Sequence, residues 1–436
     1  MAKNASSSRE ELQRRAEEFS GTAAELGRRA RAAFRLTRKA STARKNEALA
    51  KLADFLLEGE TQSRILSANQ EDLKRADEYG LSPAMKERLT LSEERIAGIA
   101  GAVREIIALP DPVGEVISGS VLPSGVEMLK KRVPLGVVFT MYESRPNVTV
   151  DISALCLKSG NAAILRGGKE ALKTNLALHE VIRRALEAVG LPGDAAIFVE
   201  DTDRALMLAL LRADRYLDLA VPRGGEGLIR FVAENSRVPA VMHDKGVCNL
   251  YVDKSANLNK ALEVAANSKL QRPSVCNSLE NLLIHQDFPE AEKLLRELAS
   301  RGALLRGSGK ARAVFAAMEP IANEEEEFAE EYLDNRLSVE IVSGLEEAAD
   351  FIYRYGSEHS EGIISEDQEA IEDFIAEIDS AALFINCSTR FHDGGQMGMG
   401  AEVGISTGRL HVRGPMGLRD LTTTTYVMRG QGHVRG

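Results

Sequence analysis

The pattern of apolar and polar positions divides the chain into three regimes. Residues 1 to about 115 read as helical, because Ala, Glu, Arg, Leu and Lys dominate and β-branched residues are few until Ile106. Pro110 and Pro112 end that run. Residues 116–135 read as extended, with turns at Gly119, Pro123 and Gly125, which predicts a hairpin or arm. From residue 137 onward short apolar runs alternate with amphipathic segments. Strands are predicted at 137–142, 162–165, 195–200, 216–221 and 238–242, and helices at 149–158, 171–189, 204–211 and 225–235. In the helix at 171–189, Leu178, Ile182, Leu186 and Val189 share one face, and Gly190 followed by Pro192 closes it. A second alternation follows, with strands at 249–252, 279–285, 337–342, 362–365 and 381–386 and helices at 258–270 and 289–299. Strands alternating with helices of this length imply parallel sheets with helical crossovers, so two α/β units meet near 243–249. The acidic run 324–327 reads as a solvated helix face.

Composition narrows the class. At 436 residues the chain has room for about three domains, or two large ones. Lys plus Arg number 55 against 65 for Asp plus Glu, and the resulting net charge of −10 argues against a nucleic-acid binder. The longest apolar stretches, such as 133–142, carry Gly and Pro and fall well short of the roughly 20 residues that span a bilayer. The N-terminus is polar, and interleaved acids from Glu10 to Glu25 argue against a transit peptide, so a cytoplasmic location is expected. Four cysteines, Cys156, Cys248, Cys276 and Cys387, lie far apart with no CxxC and no Cys/His cluster. Neither a disulfide framework nor a metal site is expected, and each thiol is either packing or a reagent.

Four features carry candidate chemistry. Cys276 lies in a polar, Pro-broken segment, 271–278, between a helix and a strand. Beside Asn277 and Arg272 it suits a thiolate nucleophile. Cys156 and Cys248 read as packing, and Cys387 ends a strand with no clear role. The turn VPRGGEG (221–227) follows a strand and opens a helix, so Gly224 and Gly225 offer N–H groups to a phosphate, or simply make a tight turn. Arg166 and Lys169 end the strand at 162–165. If a dinucleotide binds, this basic end favours NADP(H) over NAD; otherwise it is a solvated turn. The Gly-rich stretch 386–417 contains Arg390, His392, Asp393, Glu402, Ser406, Thr407, His411 and Arg413. So many glycines are costly to order, which points to function or to an interface or mobile loop. Two arginines with Ser and Thr suit a substrate carboxylate.

Taken together these residues are recognisable. The segments at 133–171, VPRGGEG (221–227), HDKGVCNLYVD (243–253), RPSVCNSLENLLIH (272–285), EYLDNRLSVEIV (331–342), YGSEHSEGII (355–364) and the stretch 386–418 resemble the γ-glutamyl phosphate reductases, also called glutamate-5-semialdehyde dehydrogenases, of the aldehyde dehydrogenase superfamily. The match covers nearly the whole chain and is weakest over the first 35 residues. It implies an α/β, aldehyde dehydrogenase-like fold: two parallel-sheet domains plus a small β oligomerisation arm. The expected division is 1–115 with 133–245 for the cofactor domain, 246–410 for the catalytic domain, and 116–132 with 411–436 for the arm. The C-terminal run 421–427 has the β-branched content of a strand.

The resemblance also implies the reaction. NADPH reduces L-glutamyl 5-phosphate to L-glutamate 5-semialdehyde with release of phosphate, through a thioester on Cys276, in the second step of proline synthesis. The backbone N–H of Cys276, with Ser144 or Asn147, would hold the oxyanion. Arg166, Lys169, Gly224, Gly225 and Glu331 would meet the cofactor. Charge complementarity alone assigns the α-carboxylate to Arg390 or Arg413 with Ser406 and Thr407, and the ammonium to Glu402. The stretch 241–246 lacks the Glu with which aldehyde dehydrogenases hydrolyse the thioester, although His243 or Asp244 remain possible acids or bases. With no kinase segment before the match, a stand-alone enzyme is expected, as a homodimer or tetramer, its substrate either free or channelled from glutamate 5-kinase. The rival readings are another enzyme of the superfamily, reducing an acyl-CoA or oxidising a different aldehyde, and a non-catalytic binding protein on the same fold.

Overall fold

Apolar runs too short for helices become the strands of two parallel sheets, one in each of two units. The computed structural model describes residues 2–241 and 245–435, with side chains from residue 9 onward except that of residue 84. The first unit comprises Met1–Met242, Met399–Gly404 and Met416–Gly436. Six helices, Ala2–Glu18 through Glu93–Ala108, precede its first strand, in keeping with the helical composition of that region. Side-chain caps start three of them: Ser41, Ser82 and Ser92 accept from the N–H groups of Arg44, Met85 and Arg95.

The strands of this unit are β1 (Val116–Val121), β2 (Glu127–Pro134), β3 (Val137–Tyr142), β4 (Ala162–Gly167), β5 (Ala196–Phe198) and β6 (Leu219–Arg223). The last four form a parallel sheet in the order β5-β4-β3-β6. Every residue of β3 is buried, as expected for a strand covered on both faces. Ala16, Ala23 and Ala30 of the N-terminal helices pack with Phe139, Ile164 and Leu208. Close approach is built in there: a Cβ on Gly27 would stand 2.5 Å from the Cβ of Tyr216. β1 and β2 form the expected antiparallel hairpin, and strand Thr422–Arg429 pairs along the other edge of β2, completing the three-stranded arm. The strand expected at 238–242 is reduced to a single bridge between Ala220 and Ala240. Pro239 accepts from the Ala220 N–H but has no N–H to donate, so the ladder stops.

The second unit comprises His243–Gly398 and Ile405–Pro415. The strands of its main sheet are β7 (Cys248–Val252), β8 (Leu279–His285), β9 (Leu304–Gly307), β10 (Glu319–Pro320), β11 (Arg336–Val342), β12 (Ser360–Ile364) and β13 (Ala382–Ile385). They make one parallel sheet in the order β10-β9-β11-β8-β7-β12-β13. The helix Leu258–Leu270 leads from β7 to β8 and lays Leu258, Leu262 and Ala265 on the core. β9 and β10 were not expected. They are short strands at the sheet edge, and Leu304 is exposed, so neither an apolar run nor an alternation marks them. The Gly-rich stretch does not stay in one unit: Val403 N–H donates to Met416 O (2.8 Å) and Met416 N–H to Gly404 O (2.6 Å), which gathers 399–404 and 416 onward into the first unit.

Beneath the second sheet lies a fully buried ion pair. Lys269 Nζ sits 2.7 Å from Glu280 Oε2, and neither side chain reaches solvent. Burial lowers the pKa of Lys269 and raises that of Glu280, against the pull of their mutual attraction. A pair of this kind is costly to break by halves. Lys269→Met should destabilise the protein by about 3–5 kcal/mol in denaturant melts, and adding Glu280→Leu should recover part of that loss.

Candidate functional site

Pro273 prevents helix Leu258–Leu270 from continuing, and the chain enters β8 through a turn closed by Ser278 N–H to Val275 O (3.0 Å). Cys276 sits on that turn, half-buried. Its carbonyl accepts from the thiol of Cys248 (3.2 Å). Gly246 packs against the same backbone: a Cβ there would lie 1.8 Å from Cys276 O. The N–H of Gly246 in turn donates to Glu331 Oε1 (3.1 Å), so Glu331 fixes the residue against which Cys276 rests. On the other side Asn277 Nδ2 donates to His392 O (2.9 Å), and Thr389 Oγ1 donates to Asn277 O (2.7 Å). Burial pushes the Cys156 thiol up to about 12 and raises Cys248 and Cys387 as well, which leaves those three protonated at neutral pH.

A buried polar chain runs beneath the loop. Ser360 Oγ lies 2.7 Å from His359 Nδ1 and 2.8 Å from His392 Nδ1, and the two imidazoles meet edge to face. Burial pushes His392 down to about 4, so it is neutral in the folded protein at pH 7.

The substrate candidates divide between the units. Arg390 is half-buried in the second, its Nε donating to Gln271 Oε1 (2.9 Å), and burial lowers its pKa. Arg413 is committed to Asp379 and Glu358. Ser406 Oγ accepts from Gly408 N–H (3.1 Å), and Thr407 beside it is partly exposed. Glu402 belongs to the first unit, apart from these four in the fold's division.

The remaining candidates gather at the carboxyl ends of β3, β4 and β6 in the first unit. Strand order reverses between β3 and β6, the topological point where open α/β sheets leave a crevice. Ser144, in a left-handed conformation (φ 45°), gives both its N–H (2.7 Å) and its hydroxyl (3.0 Å) to Glu170 Oε1. Asn147 opens the helix Asn147–Lys158 and is exposed, with Nδ2 donating to Asp151 Oδ2 (2.8 Å). Arg166 Nη2 donates to Thr202 O (2.5 Å), while its buried Nε has no partner. Lys169 Nζ lies over the Tyr79 ring, 4.9 Å from its centre. At the Gly-Gly turn, Gly225 N–H donates to Glu143 Oε2 (2.9 Å), and a Cβ on Gly224 would meet the same carboxylate at 2.5 Å. An internal anion thus occupies the opening of helix Glu226–Asn235, evidence that these N–H groups suit negative charge. With the unpaired Arg166 nitrogen, the donor set fits a phosphate-bearing cofactor. His243 and Asp244, weighed as acids or bases, lie outside the described residues.

Sequence reading missed Gly246, Glu143, Glu170 and Asp151. Only the i,i+4 spacing of Asn147 and Asp151 was a local signal; the other contacts join segments remote in the chain. Gly246→Ala should displace Cys276 and lower activity by more than about 100-fold, with little change in far-UV circular dichroism. His392 has a second, independent consequence. Its folded pKa lies below the unfolded value of about 6.5, so its contribution is complete above that pH and is lost as pH falls toward 4. Up to about 3 kcal/mol is at stake, and His392→Asn should flatten that part of the Tm-against-pH curve.

Comparison with known proteins now bears on these arrangements. The model of the aldehyde dehydrogenase family matches residues 9–338. A γ-glutamyl phosphate reductase of Leptospira interrogans is 51% identical over 412 residues, covering 94% of this chain and 98% of its own. The enzyme of the same name from Roseiflexus castenholzii is 47% identical, covering 94% and 99%. Among solved structures, the γ-glutamyl phosphate reductase of Thermotoga maritima superposes with a TM-score of 0.91 at 42% identity, over 95% of this chain and all of its own. An engineered glycolyl-CoA reductase with bound NADP+ shares the fold at 16% identity and a TM-score of 0.66, over 93% of this chain and 96% of its own. No helix among the described residues is long and apolar enough to cross a membrane.

Proposed function

We propose that this chain, which belongs to the aldehyde dehydrogenase family and within it to the γ-glutamyl phosphate reductases, reduces L-glutamyl 5-phosphate to L-glutamate 5-semialdehyde and releases phosphate. That reaction is the second step of proline synthesis from glutamate. The observation that carries the mechanism is the setting of Cys276: a half-buried thiol on a turn held by Gly246, Cys248, Asn277 and Thr389, while the other three thiols are kept protonated by burial.

The Cys276 thiolate attacks the acyl-phosphate carbon. The tetrahedral oxyanion collapses, phosphate leaves with the electron pair, and a thioester remains. Bound NADPH supplies the hydride that turns this thioester into a thiohemiacetal. Collapse of the thiohemiacetal releases the aldehyde and returns Cys276 to the thiolate. The Cys276 N–H and the Asn147 amide are the oxyanion donors; Ser144, whose hydroxyl already serves Glu170, shapes the loop instead. No Glu stands in 241–246 to activate water, which spares the thioester for reduction.

A nicotinamide cofactor follows from the family, and its NADP(H) form from Arg166 and Lys169 at the end of β4. Gly224 and Gly225 would admit the pyrophosphate in place of the Glu143 carboxylate, and Glu331 would take the nicotinamide ribose. Arg390, with Ser406 and Thr407, suits the α-carboxylate better than Arg413, which is already paired with two acids. Two carboxylates, Glu402 and Asp151, compete for the ammonium. The same reading places the protein in the cytoplasm as a homodimer or tetramer joined through its arm, with channelling from glutamate 5-kinase as the route of supply.

The decisive assay runs backwards, with glutamate semialdehyde, NADP and phosphate, following NADPH absorbance. Phosphate should be required, and Cys276→Ser should abolish turnover while cofactor affinity stays within about threefold. Phosphate-independent turnover would point to hydrolytic or CoA-linked chemistry, and an active serine variant would sink the thioester.

A further inference from the structure

Asp151 takes no part in the bond-making steps of the reaction, yet its surroundings are unusual. It lies one helical turn after Asn147, on the same face, and accepts that residue's amide at 2.8 Å. It is half-buried, and none of the ion pairs among the described residues includes it. Burial pushes its pKa up to about 6, against the Asn147 hydrogen bond and the charge of Arg223. A carboxylate withdrawn from water, with Arg223 near but no cation at ion-pair distance, gains from one in direct contact.

We propose that Asp151 receives the α-ammonium of the amino-acid substrate, making it a specificity residue of this site. The proposal rests on the reductase reading above, in which Asn147 meets the carbonyl oxygen. The backbones of Asn147 and Asp151 are separated by a helix rise of about 6 Å, and their side-chain tips meet at 2.8 Å. In an extended glutamyl chain the reacting carbon and the α-nitrogen stand about 5 Å apart, by ordinary bond lengths. Because the two tips are neighbours, a chain of that length with its carbonyl hydrogen-bonded to Asn147 brings its ammonium within hydrogen-bond reach of Asp151.

The charges require the same pairing. A bare carboxylate one hydrogen bond from an oxyanion donor opposes the negative charge that develops there. An ammonium on Asp151 removes the opposition. Recognition of the amino group is thereby coupled to the rate of attack, so an aldehyde lacking it loses kcat as well as affinity. Glu402, the other candidate, lies in the Gly-rich stretch and has interactions of its own.

The test compares L-glutamate 5-semialdehyde with 5-oxopentanoate, the same chain without the amino group, in the reverse assay at saturating NADP and phosphate. Asp151→Asn should lower kcat/KM for the amino aldehyde by about 10- to 100-fold and shrink the preference over 5-oxopentanoate by a similar factor. Asp151→Glu should restore part of that preference. Equal losses on both aldehydes overturn the proposal and leave Asp151 as a positioning group for Asn147. A selective loss in Glu402→Gln that is absent in Asp151→Asn also overturns it. If the wild type turns over neither aldehyde, the reductase reading fails separately. Calorimetry then compares L-glutamate with glutarate: weaker binding of L-glutamate alone to Asp151→Asn supports the ammonium site, and equal weakening of both overturns it.

Discussion

Cys276 keeps its place because residue 246 has no side chain. β7 and β8 are parallel neighbours, with Cys248 opposite Leu279, so the loops that lead into them run side by side. Gly246 and Cys276 occupy those loops, and their backbones touch where any Cβ would intrude. The remaining contacts of the turn build on that approach. Glu331 holds Gly246, the Cys248 thiol caps the Cys276 carbonyl, and Asn277 ties the turn to the segment around His392. Cys276 is positioned mainly through main-chain packing.

Each unit exploits one end of its parallel sheet. In the first, the groups that follow β3, β4 and β6 converge at the carboxyl ends of the strands. In the second, the residues that precede β7 and β8 converge at the amino ends. Parallel pairing brings together loops that are far apart in sequence, and glycines let them approach. Burial then sets the protonation of what lies beneath: the Cys156, Cys248 and Cys387 thiols and His392 neutral, Lys269 and Glu280 paired.

Much of this was legible in the chain. The helix Leu258–Leu270 and β8 fall where hydrophobic periodicity put them, and Cys276 stood out because a Pro-broken polar loop is a poor place for a packing thiol. The illegible parts have physical reasons. β9 and β10 lie at an edge, so solvent erases the apolar run that marks a buried strand. At 238–242 the β-branched content suggested a strand, but Pro239 removes a donor and leaves one bridge. Glu143 at Gly225 and Glu170 at Ser144 join residues separated by 82 and 26 positions, and no local pattern encodes such a meeting.

The arm sets a schedule for synthesis. β2 pairs with Thr422–Arg429 from Pro134 opposite Thr422 to Glu127 opposite Arg429, so one of its edges waits for residues made nearly three hundred positions later. The sheet of the second unit needs nothing beyond β13, at 385, for its strands. On the ribosome, therefore, the later-made sheet is free to close first, while the earlier hairpin keeps an unpaired edge until residues 422–429 emerge. The arm is the segment most exposed to mispairing with a neighbouring nascent chain, and a chaperone would have most to shield there.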